Sequence, residues 1–432
     1  MQPKRISLLA FLAFLIAFSF AYLGGVAAVP FHPDESTFLF LSADFELFFQ
    51  NPMAQAWQPE NQAGAVEGGS EIGQVQRYRT LDAPLGRYLV GFGRWLVGLE
   101  PLPVDWNWGL SWEENRQAGA LPSAHLLLAG RLGIAMLTPV SVLLLFLTGR
   151  RLGGERVGWL AALLLAGNAL VLLHARRAMS EGAVIFTVTL VMWSLVTTEK
   201  RSWLGAVPAA LAFCAKHSLA VLAPVGALAA LWLPGQGQPE SRRNAIKGVM
   251  LYALIFVLVV IALNPVVWAH PLQAVQDSIA NRQDLVKNQV ADRPEQEMKS
   301  PALRLVVMLG HLFIVRPIFA ETGNYVEETR AAEEAYLSNP LHTLMRSLFA
   351  GIVLMLASLY GYLAMGVRAA RQRPLPRGAI LLLAASLIQA LALLATVQLP
   401  FQRYYLPLVP HACLWAAYGL DILVTRISAL RG

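Results

Sequence analysis

Charge and cysteine are what this sequence is short of. Only 14% of its 432 residues are charged, against about 25% in an ordinary soluble domain. That argues against a water-soluble globular fold and for a membrane protein. The two cysteines, Cys214 and Cys413, both lie in apolar stretches, so no disulfide framework is needed and no zinc-ligand spacing exists. Also missing are an internal repeat, a Gly-rich phosphate loop and any Rossmann or Walker pattern. A soluble nucleotide-binding domain therefore has nowhere to sit. Asp and Glu number 27 against 34 Lys and Arg, a net charge of +7. Nucleic acid is not the reason for this excess. The basic residues gather in short clusters between apolar runs, at Lys4/Arg5, Arg150/Arg151/Arg156, Lys200/Arg201, Arg242/Arg243/Lys247, Arg368/Arg371/Arg373/Arg377 and Arg426/Arg431. Cytoplasmic loops of membrane proteins carry their charge in this way.

A spanning helix needs roughly 20 apolar residues. The sequence offers such segments at 6–29, 124–148, 157–173, 181–198, 204–215, 218–233, 248–268, 343–367, 379–398 and 404–425. The fold class expected is an all-α polytopic membrane protein of about ten to eleven transmembrane helices, with 1–432 as a single membrane-embedded unit. The first span reads as uncleaved, because similar runs follow it. With the N-terminus inside, the basic clusters fall on the cytoplasmic side. Residues 30–122 and 269–342 then form the two large external segments. The apolar stretch 302–320 reads as membrane-parallel or re-entrant, since a span there would break the alternation.

The first external segment opens with FHPDESTFLFLSADFELFF, residues 31–49. Pro33 favours a helix start at Asp34, placing Asp34 and Glu35 in a first turn where the helix dipole favours negative charge. Phe38, Leu39, Phe45, Phe48 and Phe49 supply one apolar face for a helix lying in the membrane interface. Residues 84–98 make a second interfacial helix, and Trp106, Trp108 and Trp112 suit the lipid–water boundary. Residues 51–80, polar and rich in Gly and Gln, read as loop. Residues 269–300 contain a polar helix lying over the external face.

Polar residues collect at the external ends of the spans: Asp34, Glu35, Asp82, Arg87, His174, Arg176, Arg177, Glu181, Lys216, His217, Arg403, Tyr404 and Tyr405. External Arg and Lys run against the positive-inside trend, and charged groups beside spans are costly and often functional. An anionic lipid headgroup supplies a reason for them, since Arg matches phosphate bidentately and Lys acts as a point charge. A carboxylate at the membrane surface can take a proton from an acceptor hydroxyl while nearby cations neutralise a departing phosphate. The other reading of each residue stays open: Asp34 and Glu35 as a helix start, Asp82 as a cap before Pro84, Lys216 as a snorkelling side chain.

The motifs PDE at 33–35, DAPLGR at 82–87, the block 131–181 ending HARRAMSE, CAKHSLAVLAPVG and RYYLPLVP resemble the membrane glycosyltransferases of the GT-C type. The resemblance runs from Phe31 to Pro410 and is to family 39, the protein O-mannosyltransferases and their bacterial relatives, including aminoarabinose transferases. It departs from the mannosyltransferases at Asp82 and Ala83, where they have His and Pro, and at Ser180-Glu181, where an Asp is usual. It leaves no room for the soluble β-trefoil insertion of eukaryotic members.

The resemblance implies inverting transfer of one sugar from a polyprenyl-phosphate donor to an acceptor glycan, lipid or protein, on the non-cytoplasmic face. It implies catalytic carboxylates at Asp34, as general base or acceptor-positioning group, and at Glu35, which would shape the site or bind acceptor. Donor phosphate would be held by Arg176 or Arg177, Lys216 and Arg403, with Arg87 serving there or holding Asp34. Asp82 and Tyr404 are candidates for the acceptor side. No cofactor is otherwise required, and a divalent metal ion near Asp34 and Glu35, with His32, stays open because imidazole and carboxylate both ligate such ions. The location implied is a bacterial inner membrane with the site facing the periplasm. Two competing functions share these residues: a lipid-linked sugar transporter or flippase, and a non-catalytic glycolipid-binding subunit.

Overall fold

The computed structural model describes residues 3–57, 70–198, 202–232, 239–320, 323–373 and 375–431, and every regular element among them is helical. In chain order the α-helices are Pro3–Gly24 (α1), Pro33–Leu41 (α2), Asp44–Gln50 (α3), Ser70–Leu81 (α4), Pro84–Trp95 (α5), Trp112–Gln117 (α6), Ala124–Ala135 (α7), Leu137–Gly153 (α8), Glu155–Ala166 (α9) and Ala169–His174 (α10). Then come Glu181–Thr197 (α11), Ala206–Ala215 (α12), Ala223–Leu231 (α13), Pro239–Leu263 (α14), Pro271–Ala291 (α15), Pro301–Phe313 (α16), Val326–Ser338 (α17), Leu348–Arg371 (α18), Arg377–Thr396 (α19) and Val409–Arg431 (α20). A 3₁₀ segment, Gln402–Leu408, leads into α20.

The chain is a multi-pass membrane protein. Among the described residues six helical stretches are long and apolar enough to cross a bilayer: Leu9–Ala28, Ala124–Gly153, Arg243–Leu263, Leu348–Arg371, Arg377–Thr396 and Gln402–Leu430. Shorter apolar stretches at Glu181–Thr197, Ser202–Ala215 and His217–Leu231 fill the positions where the sequence placed further spans. The segment expected to lie parallel or re-enter contains α16, whose 13 residues reach only about 20 Å at 1.5 Å per residue, too short to cross alone.

The helix α11 sits at the centre. Its sequence EGAVIFTVTLVMWSLVT is apolar on every side, and a helix of that kind is buried all round. It packs against α8, α12 and α19, and Ile185, Val188 and Met192 are fully enclosed. Thr187 and Thr189 sit inside this core by donating to Ala183 O and Ile185 O, at 2.8 and 3.1 Å. The N-terminus of α11 carries Glu181, so this deeply buried helix delivers a carboxylate to one end of the bundle.

The helices α18 and α20 cross backbone to backbone. A Cβ on Gly361 would lie 2.0 Å from Trp415 O, and one on Gly419 would lie 2.1 Å from Ala357 O. Small residues at such crossings let helices associate by close packing within the membrane. Gly361→Val is expected to destabilise the protein by about 1–3 kcal/mol, the usual cost of overpacking. Thermal unfolding of the detergent-solubilised variant checks this, and an unchanged melting temperature would contradict the crossing.

The first external segment departs from expectation in two ways. The stretch 34–49 is two helices, not one. They break at Ser42, whose Oγ donates to Leu39 O at 2.5 Å and receives Arg94 Nε at 2.6 Å. The expected loop 51–80 contains the helix α4, while its portion 58–69 lies outside the described residues. The sequence of α4, SEIGQVQRYRTL, lacks a clear apolar stripe. Its support is tertiary: Arg79 bonds Asp44 at 2.5–3.1 Å and lies 5.0 Å over the Trp57 ring. The segment 84–98 does form a helix, α5. Its Trp95 and the neighbouring Phe49 are exposed within a cluster of rings that includes Phe45 and Phe92.

Candidate active site

Asp34 owes its position to the way α2 begins. His32 is the N-cap: its Nδ1 accepts from Asp34 N at 3.1 Å, and its own N–H donates to the Glu35 carboxylate at 3.1 Å. Pro33 occupies the first helical position, where its missing N–H costs nothing. This reciprocal cap satisfies two amides. It also fixes the turn from which the Asp34 side chain emerges. Glu35 then locks the turn to the bundle. Its carboxylate is buried and accepts from Arg131 Nε and Nη2, both at 2.7 Å, and from Ala178 N at 2.8 Å. Arg131 also donates to Val26 O and Val29 O at 3.1 and 2.8 Å, tying in the segment between α1 and α2.

Asp34 opens onto a cavity of about 800 Å³. Its side chain is 26% exposed and pairs with Arg403, from the 3₁₀ segment before α20. Across the cavity, Lys216 at the end of α12 pairs with Glu181 at 3.3 Å. Tyr404 stands between the two cations, its ring 5.3 Å from Lys216 Nζ and 5.8 Å from Arg403 Cζ. Asp82 lines the wall at the α4–α5 junction, 3.5 Å from Arg282 of α15. Burial raises the Asp82 carboxyl above the ordinary range; Arg282 opposes the shift and the nearby Asp34 charge adds to it. The residues from Leu285 to Arg293 form the outer wall.

Of the residues singled out from the sequence, the structure brings Asp34, Asp82, Glu181, Lys216, His217, Arg403 and Tyr404 together around this cavity. Glu35, Arg87, Arg176 and Arg177 lie away from its lining. Glu35 faces inward onto Arg131. Arg87 pairs with Asp44 at 2.9 Å and donates to Asp82 O at 3.1 Å, so it braces the α4–α5 junction and does not hold Asp34. Arg176 lies 4.6 Å over the Tyr22 ring and 3.4 Å from His342. Arg177 donates to Phe319 O at 3.1 Å. The arginines expected on the external side thus have a second reason to exist: Arg87 pairs with a buried carboxylate, and Arg176 and Arg177 contact Tyr22 and Phe319. Buried charges survive when paired and hydrogen-bonded.

The metal reading does not fit this arrangement. Among the described residues no group of three His, Cys, Asp or Glu side chains converges as a metal site. In the trio that the sequence suggested, Glu35 is taken by Arg131, and the His32 Nδ1 lone pair already accepts from Asp34 N.

Sequence reasoning named His32 only as a possible metal ligand, and it missed Arg77, Trp108, Arg282 and Arg293 as cavity residues; all five line the cavity. Arg282 and Arg293 carried a signal. They are external arginines on and just beyond a polar helix, the same anomaly that drew attention to Arg87. Arg293 lies 5.4 Å over the Phe401 ring at the cavity wall.

These helices, with an acidic helix start facing the last membrane segment across a cavity, define a polytopic membrane protein of the GT-C fold. Among solved structures the chain is similar to ArnT from Cupriavidus metallidurans bound to undecaprenyl phosphate, at 12% identity and TM-score 0.53, covering 96% of this chain and 60% of that one. It is also similar to the Archaeoglobus fulgidus oligosaccharyltransferase in the apo form, at 12% identity and TM-score 0.51, covering 97% and 51%. The chain therefore spans between half and three fifths of these proteins. A family profile described as dolichyl-phosphate-mannose-protein mannosyltransferase matches residues 124–268. No curated protein matches. The chain has the GT-C fold and resembles the family 39 glycosyltransferases.

Proposed function

We propose that this protein is an inverting glycosyltransferase that moves one sugar from a polyprenyl-phosphate donor to a hydroxyl acceptor at the cavity, on the non-cytoplasmic face of a bacterial inner membrane. One observation carries the reading. A carboxylate on a rigid helix start, Asp34, lines a cavity together with two cations from distant spans, Arg403 and Lys216. In the reaction the acceptor oxygen bonds to the anomeric carbon as the carbon–oxygen bond to phosphate breaks. The hydroxyl proton passes to Asp34. The electron pair leaves with the phosphate, whose charge meets Arg403 and Lys216. A cation aimed at the place where charge develops is among the strongest catalytic devices. The bound donor competes with Asp34 for Arg403, so phosphate binding loosens the ion pair and frees the carboxylate to meet the acceptor hydroxyl. Asp82, on the cavity wall near Asp34, serves the acceptor side. The polyprenyl phosphate bound to the ArnT structure and the mannosyltransferase profile support the choice of donor.

The test is reconstitution of the purified chain with polyprenyl-phosphate sugars and cell-envelope extract. Mass spectrometry follows sugar on the acceptor and free polyprenyl phosphate. Arg403→Gln is expected to raise KM for the donor by roughly 10- to 100-fold, the range for losing a charged hydrogen bond. A wild-type protein that moves the lipid-linked sugar between leaflets and transfers none of it would overturn the reading in favour of a flippase.

A further inference from the structure

We propose that His32 is a substrate-contacting residue whose Nε2–H donates a hydrogen bond to a phosphate oxygen of the lipid-linked donor beside Asp34. The identity of the ligand rests on the transferase reading; the geometry of the ring does not. His32 Nδ1 accepts from Asp34 N, and an accepting ring nitrogen carries no proton. The neutral ring therefore has its proton on Nε2. The tautomer is set by the helix start itself.

The ring is 1% exposed. Trp108 and Tyr325 flank it in edge-on contacts, with centroids 6.5 and 5.5 Å away. It borders the cavity alongside Asp34 and Arg403. Nε2 takes part in no hydrogen bond among the described residues. Nε2 is not among the side-chain atoms sealed from solvent without a partner, and the ring lines the cavity, so a ligand there can supply its acceptor. Burial, with the charges of Arg177 and Arg403 adding to it, holds the ring well below its ordinary pKa, hence neutral near pH 7. The same two cations make the place attractive to an anion in preference to a neutral hydroxyl.

Capping alone does not account for histidine here. Ser, Thr, Asp and Asn are the preferred N-caps, and any of them would accept from the Asp34 amide without filling the space between Trp108, Tyr325 and the cavity. The Nε2–H is what histidine adds.

The experiment titrates undecaprenyl phosphate into the full-length purified chain and reads the binding by thermal shift. His32→Asn keeps a cap acceptor and lacks the distant N–H. It is expected to bind roughly 10- to 100-fold more weakly with an unchanged ligand-free melting temperature. His32→Gly opens a hole beside Asp34 at a position where glycine is tolerated, and added imidazole is expected to restore binding. Wild-type affinity in the Asn variant overturns the proposal, as does a wild-type chain with no affinity for undecaprenyl phosphate. Should the Asn variant melt early, the Gly variant with and without imidazole decides: rescue supports the proposal and no rescue overturns it. A wild-type chain that binds undecaprenyl phosphate but transfers no sugar refutes the transferase reading, and the binding ratios still judge His32.

Discussion

Asp34→Asn is expected to lower the turnover rate by about 10²–10⁴-fold, the usual contribution of a general base, while leaving the protein folded. The physical grounds for separating the two effects are specific. The carboxylate reaches the cavity and is partly exposed, and its charged partner is Arg403. The part of Asp34 that holds α2 in place is its backbone amide, which bonds His32 Nδ1 and survives the substitution. Asn has the same shape, so the cavity keeps its form. It also releases Arg403 from a carboxylate and makes that guanidinium more available to phosphate. Donor affinity in the variant should therefore be retained or improved as turnover collapses. Single-turnover transfer with saturating donor measures the first effect, and donor titration measures the second. Turnover within tenfold of wild type would end the case for Asp34 as base.

Glu35 stands next to Asp34 and should behave in the opposite way. Glu35→Gln removes the carboxylate that balances Arg131 in a fully enclosed site. Breaking a buried pair from one side costs about 3–5 kcal/mol, because the other charge stays buried and unpaired. The expected result is a protein that unfolds at clearly lower temperature, with activity lost in parallel. The double replacement Glu35→Gln/Arg131→Met should recover much of the stability, since both charges are then gone. Thermal unfolding of the three variants reads this directly. A Glu35→Gln protein that melts like wild type but fails to turn over would assign Glu35 a chemical role and undo the division of labour between the two carboxylates.

That division was not legible in the sequence. The dipeptide Asp34-Glu35 signals an acidic helix start, and nothing in it says which carboxylate faces solvent. The answer depends on Arg131, 96 residues away in the chain. Arg87 shows the same gap. Its external location suggested phosphate, but its partner Asp44 lies in a stretch that reads only as part of an apolar-faced helix. Spans were easy to place, because an apolar run with basic clusters at its ends is a local signal. Asp34, Lys216 and Arg403 drew attention for a similar reason: each sits where an apolar segment begins or stops. His32 stood out in the sequence only as a possible metal ligand beside Asp34 and Glu35. Its status as a cap with a fixed proton is a fact of three-dimensional geometry.

The ion pair between Asp34 and Arg403 joins positions 369 residues apart in the chain. During synthesis the segment bearing Asp34 is made long before the one bearing Arg403. In that interval the carboxylate stands without its counterion and the cavity lacks part of its wall. Both are supplied together when α20 docks onto α18 through the glycine crossing and Arg403 comes to Asp34.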